Sequence, residues 1–239
     1  MTKKKILITI SHYNKRKKND LKSLIKSIQN QSCDLLIVIN DDNCVLERND
    51  TFYNTKTLIR PNTGMNIGAW NASFLKNRNY DFYLFLQDEC QVLDSTFIDK
   101  YIYELSKKNV EITGESISYK WANSWGYMAK STLNYKNGYD INKTPVFRVQ
   151  YYFNLLKKWN IDPSQNGLLL GSLVWGFKKE TLDKISPFPI GITKEECIAA
   201  EIGVSKKIKQ LNLKVTQINT KPFKHICHIE WKFDGSSKK

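Results

Sequence analysis

The sequence predicts an α/β fold with a mostly parallel central sheet flanked by helices. Three observations carry the prediction. Short β-branched, apolar runs alternate with segments of helical period through residue 93. The runs are almost continuously apolar rather than alternating, as in strands buried on both faces. Polar clusters follow at least three of them, at 11–14, 40–43 and 87–89, and open parallel sheets bind ligands beyond their carboxyl ends.

Residues 5–10 (Lys-Ile-Leu-Ile-Thr-Ile) form the first strand, which runs into the polar loop Ser11-His12-Tyr13-Asn14. Asn19 or Asp20 can cap a helix in which Leu21, Leu24, Ile25 and Ile28 share one face. Residues 35–39 make a second buried strand, ending at Asn40-Asp41-Asp42-Asn43. A short third strand, 57–59, is closed by Arg60-Pro61-Asn62-Thr63-Gly64. The helix that follows covers 67–77, with Ile67, Phe74 and either Trp70 or Asn71 inward. A fourth strand, 81–86, ends at Gln87-Asp88-Glu89-Cys90. Beyond it, 95–108 and 150–159 read as helices, the second stopped before Asp162-Pro163. Residues 168–177 read as one further buried strand, and helices around 180–185 and 195–211 complete the pattern. The stretch 119–165 is rich in Tyr, Trp, Asn and Lys and has no clean period. Residues 1–239 are read as one domain, with halves 1–93 and 94–239.

Bulk properties narrow the function classes. A chain of 239 residues with 41% hydrophobic and 12% aromatic content supplies a sizeable core, so wholesale disorder is excluded. The longest apolar run, 167–177, falls well short of the roughly 20 residues that span a bilayer. The first apolar stretch stops at Ile10 and Lys-Arg-rich sequence follows, unlike a secretory leader. Five cysteines (33, 44, 90, 197, 227) without a C-x-x-C pair suit free thiols, and the expected location is a reducing cytoplasm. A net charge of +14 raises nucleic acid, an anionic membrane face or phosphate-bearing substrates as partners. The lysines are spread along the chain, as on a solvated face. No nucleic-acid-binding motif accompanies them, so nucleic acid is not expected. The inner face of a membrane, where lipid-linked acceptors lie, stays open.

The strongest chemical feature is Asp88-Glu89. An acidic pair at a loop end is common in itself, yet two adjacent carboxylates at the mouth of an apolar strand repel and are costly to bury. A hard divalent cation such as Mn or Mg resolves both problems and can bridge carboxylates to a diphosphate. Asp41-Asp42 follow the second strand, where a carboxylate can accept hydrogen bonds from a nucleobase or ribose. Gly64 and Gly68 flank a helix start, allowing close backbone approach where negative charge is favoured. His225-Ile226-Cys227-His228 offers nitrogen and sulfur ligands, but a structural zinc site has a second ligand pair that the sequence lacks.

In order, these pieces resemble the family 2 glycosyltransferases of the GT-A fold, closely over about 5–93 and more loosely over 167–216. Residues 6–14 resemble the family's opening strand and T-Y-N loop. Residues 36–43 resemble its I-V-V-D-D-G-S strand end. Asn62-Thr63-Gly64 and Gly68-Ala69-Trp70-Asn71 resemble its N-x-G…A-x-N segment. Gln87-Asp88-Glu89 sits where the family's D-x-D-like metal motif belongs, with Gln first and Glu last. The resemblance implies a nucleotide-diphospho-sugar donor held by Ser11, Tyr13, Asn14, Asp41, Asp42, Asn62, Gly64, Gly68, Asn71, Gln87 and Asp88. It implies Mn or Mg held by Asp88 and Glu89, with His228 or His225 added late in the chain.

The family also places a catalytic carboxylate in a late helix. Counting back from Leu211-Asn212-Leu213-Lys214-Val215 puts Glu201 at that position, while Glu195 and Glu196 form a paired acid near the helix start. The implied reaction is an inverting transfer of a UDP- or GDP-linked sugar to a saccharide or lipid-linked saccharide, and the Lys-, Asn- and Ile-rich usage, as of an AT-rich bacterial genome, associates it with surface polysaccharide synthesis. One of the three glutamates takes the proton of the acceptor hydroxyl. The aromatic stretch 119–175 suits an acceptor surface. Two other readings stay open. A nucleotidyltransferase-like enzyme would carry a glycine-rich basic loop after the first strand, and His12-Tyr13-Asn14-Lys15-Arg16 does not match one. A GT-A-like binding module with weakened catalysis is kept by Gln87 and the imperfect late-helix motif.

Overall fold

The computed structural model describes residues 4–15, 18–41, 55–117, 119–120, 123–131, 138–171 and 173–229. The elements run β1 (Ile6–Tyr13), α1 (Lys18–Ile28), β2 (Asp34–Asn40), β3 (Lys56–Arg60), α2 (Met65–Lys76) and β4 (Phe82–Gln87). They continue with β5 (Cys90–Val92), α3 (Phe97–Ser106), β6 (Ile112–Gly114), β7 (Tyr119–Lys120), α4 (Trp125–Ser131), β8 (Gly138–Tyr139) and β9 (Pro145–Val146). The remainder is α5 (Arg148–Lys158), β10 (Leu169–Leu170), β11 (Val174–Lys178), α6 (Lys179–Ile185), α7 (Lys194–Gln210), β12 (Val215–Gln217) and β13 (Ile226–His228).

Among the described residues, seven strands form the central sheet in the order β12-β6-β11-β4-β1-β2-β3. The pairs β1/β2, β1/β4, β2/β3 and β6/β12 are parallel, and β11 alone runs antiparallel between β4 and β6. Alternate residues of each strand serve opposite faces, as the pleat requires. Ile6, Ile8, Ile10, Leu84 and Leu86 pack with α1 and α3 on one face. Leu7, Val38, Tyr83 and Phe85 pack with α2, α6 and α7 on the other. That two-sided demand explains the unbroken apolar runs. It also carries most of the stability, since burying each such side chain contributes about 1.5–3 kcal/mol.

Helix α2 follows its sequence pattern: Ile67, Trp70 and Phe74 are buried, and Asn71 is left half-buried. Helix α7 carries two packed faces. Ala200, Val204 and Ile208 meet the sheet, while Ala199 and Ile202 meet α4 and α5 in a third apolar cluster.

Two elements differ from expectation. The run 168–177 is two strands, β10 paired with β7 and β11 in the main sheet, so the apolar run changes sheet between Leu170 and Val174. Residues 11–13 continue β1 instead of forming a loop, since β2 pairs with them through Asn40. A small antiparallel pair, β5 with β13, has no counterpart in the sequence reading.

Candidate active site

The carboxyl ends of β1, β2, β3 and β4 share one edge, and their terminal polar residues interlock there. The Asn40 side chain donates to Ser11 Oγ at 3.1 Å and accepts from Arg60 Nη1 at 2.6 Å. Arg60 Nη2 donates to the Thr63 carbonyl at 2.5 Å and to its hydroxyl at 2.9 Å. Asn14 Nδ2 points to Asp41 Oδ2 at 3.4 Å, and the Asp41 N–H donates to the Arg60 carbonyl at 2.9 Å. Tyr13 is half-buried beside them. Asp42 lies outside the described residues.

Glycine is required at two places on this rim. Gly64 has φ +76°, the left-handed region, and leads into α2. A Cβ on Gly68 would lie 2.1 Å from the Thr63 carbonyl oxygen and 2.9 Å from Arg60 Nη2. Glycine at 68 therefore lets Arg60 lie against the start of α2. Asn62 Oδ1, in the same loop, is shielded from solvent without a hydrogen-bond partner among the described residues. A buried acceptor in that state costs about 1–3 kcal/mol, which a ligand donor would recover. Asn71 is used structurally as well, its Oδ1 accepting from Phe188 N–H at 2.9 Å.

At the end of β4 the acidic pair divides. Asp88 is buried, and its Oδ2 lies 2.7 Å from His12 Nδ1. Glu89 Oε2 faces His228 Nε2 at 3.4 Å. The β5/β13 pairing makes this meeting possible, with His228 opposite Cys90 and Ile229 N–H donating to the Glu89 carbonyl at 3.0 Å. Gln87, half-buried, closes β4 alongside.

His225 goes elsewhere. Three residues from His228 on an extended segment, it projects from the other face. Its Nδ1 lies 2.9 Å from Asp94 Oδ2, and its Nε2 lies 3.5 Å from Asn219 Nδ2. The Lys100 ammonium and the Thr96 hydroxyl and N–H hold the Asp94 carboxyl well below the usual carboxylate range.

Among the described residues no three His, Cys, Asp or Glu side chains converge as a complete cation cage. Glu89 offers the carboxylate oxygen that a hard cation of the magnesium type takes while phosphate oxygens complete its shell, and the His228 imidazole beside it would add one nitrogen ligand.

The three late glutamates sit on α7 in different states. Glu196 closes a capping box with Thr193, its Oε2 accepting from Ile192 N–H at 2.6 Å and its Oε1 from the Tyr151 hydroxyl at 2.8 Å. Burial and that bond to Glu196 push the Tyr151 hydroxyl well up. Glu195 is buried and ion-paired with Arg148 at 3.1 Å. Glu201 is half-buried one turn beyond Cys197, whose thiol reaches the Gly64 backbone and the field of Arg60. Burial, with Glu201 and Glu196 adding to it, pushes that thiol up to about 12.

Sequence reasoning missed Arg60 as a site residue, although it opens the Arg60–Gly68 stretch. It also missed Glu115, which only the return of the chain through β13 brings into play.

No protein-family description matches the chain, and no curated protein sequence matches it. Solved structures do. Glucosyl-3-phosphoglycerate synthase from Mycobacterium tuberculosis, in complex with Mn2+, UDP and glucosyl-3-phosphoglycerate, aligns over 97% of this chain and 74% of its own, with 14% identity and a TM-score of 0.52. A mannosyltransferase from Pyrobaculum calidifontis, in complex with GDP-Man and Mn2+, aligns over 90% of this chain and 55% of its own, with 9% identity and a TM-score of 0.51. A CMP:2-keto-3-deoxy-manno-octonic acid synthetase complexed with CTP aligns over 89% of this chain and 88% of its own, with 10% identity and a TM-score of 0.49. Likeness at these identities speaks to shape. Together with the strand order, it shows that the chain has the GT-A-type fold of nucleotide-sugar transferases.

Proposed function

We propose that the chain transfers a sugar from a UDP- or GDP-linked donor to a saccharide or lipid-linked saccharide, with inversion and with Mn2+ or Mg2+. The observation that carries the reading is the Glu89–His228 pair at the end of β4, beside the Asn14/Asp41/Arg60 rim. Two of the solved structures with this fold are themselves complexes of Mn2+ with UDP or GDP-Man.

In this reading residues 1–93 form the nucleotide-binding half and 94–239 the acceptor and catalytic half. Ser11, Tyr13, Asn14, Asp41, Asp42, Asn62, Gly64, Gly68, Asn71 and Gln87 shape the donor pocket. Asp41 takes the nucleoside, as its place at the end of β2 suits a ribose or base donor. Glu89 and His228 hold the cation directly. Asp88, tied to His12 through Oδ2, is a further candidate ligand for the cation and the donor at the same strand end. His225 belongs to the support of His228 rather than to the ligands. When bound, the cation offsets the charge that develops on the departing nucleotide.

Glu201 is assigned as the base, with Glu196 and then Glu195 behind it. Glu201 has the motif spacing, and it shares a helix face with Cys197, which reaches the donor rim. The lipid-linked acceptor, surface polysaccharide synthesis and the inner membrane face belong to the same proposal.

The test is Mn2+-stimulated hydrolysis of a UDP- or GDP-sugar. Glu201→Gln should lower it by about 10²–10⁴-fold while donor affinity holds. No hydrolysis by the wild type with any such donor would favour the weakened binding module. Loss in Glu196→Gln with Glu201→Gln active would move the base.

A further inference from the structure

Glu115 is a buried acid outside the donor rim whose partners lie on distant parts of the chain. It follows β6 directly and is 1% exposed. Its Oε1 accepts from the Tyr101 hydroxyl of α3 at 3.2 Å. Its Oε2 accepts from the His225 backbone N–H at 3.1 Å, and the Ile226 N–H also serves this carboxylate. The Glu115 backbone joins in, its carbonyl accepting from Phe223 N–H at 3.3 Å.

The head of β13 is thus clamped from several sides. Glu115 holds its backbone N–H groups, Asp94 holds the His225 ring at 2.9 Å, and Leu93 N–H donates to the His225 carbonyl at 2.8 Å. From there β13 runs in register with β5 to His228, which meets Glu89 at 3.4 Å. The path from clamp to imidazole is a paired strand with no loop in it. A shift at His225 is therefore passed to His228 instead of being absorbed. An apolar side chain could fill the space at 115, but it could not accept from the N–H groups that start the strand.

We infer that Glu115 is a positioning residue for the cation site: it seats the head of β13 so that His228 stays beside Glu89. The inference rests on the reading of Glu89 and His228 as cation ligands. Among the described residues it assigns a function to a buried carboxylate that the donor rim, the end of β4 and the glutamates of α7 leave unused.

The test is titration of Mn2+, alone and with UDP or GDP, followed by electron paramagnetic resonance on the full chain. Variants are Glu115→Leu, Glu115→Gln, Asp94→Asn, His228→Ala and the pairs of His228→Ala with Glu115→Leu and with Asp94→Asn. His228→Ala should weaken Mn2+ binding, and Glu115→Leu should weaken it about tenfold, as loss of an outer-shell support does. Glu115→Gln keeps an oxygen acceptor and should stay near wild type. Each pair should bind no more weakly than His228→Ala alone, because the support acts through that imidazole. If Glu115→Leu does not fold, Asp94→Asn carries the same cycle from the other side of the clamp. Wild-type affinity in the clamp variants while His228→Ala is weakened would overturn the positioning role, as would fully additive losses. Wild-type affinity in His228→Ala would overturn the cation reading and the positioning role with it.

Discussion

Asp41 and Arg60 stand at neighbouring strand ends, where Asp41 N–H donates to the Arg60 carbonyl at 2.9 Å. If Asp41 takes the nucleoside, Asp41→Ala loses a hydrogen bond to a charged acceptor, a term of about 1.5–3 kcal/mol. Donor dissociation constants, measured by calorimetry, should rise about 10–100-fold with little change in turnover at saturation. An effect confined to turnover would contradict the assignment. Glu115 gives a prediction in pH. Burial pushes its carboxyl above the ordinary value of 4.5, while the His225 N–H and the Tyr101 hydroxyl pull it back. A raised carboxyl pKa means that the folded chain binds the proton more tightly than the unfolded one. Its contribution is full below about 4.5 and is lost as pH rises through the raised value. The melting temperature of the wild type should therefore fall relative to Glu115→Gln as pH increases across that window. A constant difference would show that the bonds from His225 and Tyr101 cancel the effect of burial. Asp41 and Glu89 could be named as candidates from the sequence because each follows a strand end, and Gly68 because it lies in the first turn of the helix after β3. Glu115 could not, since its meaning comes from a backbone more than a hundred positions away.

The helices and main strands follow from periodicity because each answers to one local demand. Helix α2 is the clearest case. Trp70 lies flat on Phe85 with ring centroids 5.6 Å apart and tilted to Trp175 at 5.5 Å, and its Nε1 donates to the Leu86 carbonyl at 3.3 Å. Trp70→Ala should cost about 3–5 kcal/mol in chemical denaturation, the range for emptying a large aromatic site in a core. A loss under 1 kcal/mol would mean that the sheet face collapses around the gap. The β5/β13 pair illustrates the opposite situation. Its three-residue strands carry too little pattern to read, and they exist because distant segments find each other. Residues 168–177 mislead for a related reason. Both β10 and β11 are apolar, so composition alone gives no sign that they belong to different sheets.

At the scale of the whole molecule, the sheet brings to one edge residues that the sequence spreads from Ser11 to His228. Strand order explains how: β4 sits at the centre, with β1 on one side and β11 on the other, so Asp88 and Glu89 emerge at the middle of that edge. The net charge of +14 acts over the same scale and would draw in, by long-range attraction, an anionic nucleotide donor of the kind proposed. Among the described residues no helix is long and apolar enough to cross a membrane. The central claim is a nucleotide and a divalent cation bound together at that edge, and thermal shift measures it most directly. UDP or GDP should raise the melting temperature of the wild type only with Mn2+ or Mg2+ present, since a ligand that binds the native state alone stabilises it by mass action. Glu89→Gln and His228→Ala should each remove most of the cation-dependent part. Undiminished cation-dependent shifts in both variants would contradict the account and place the metal elsewhere.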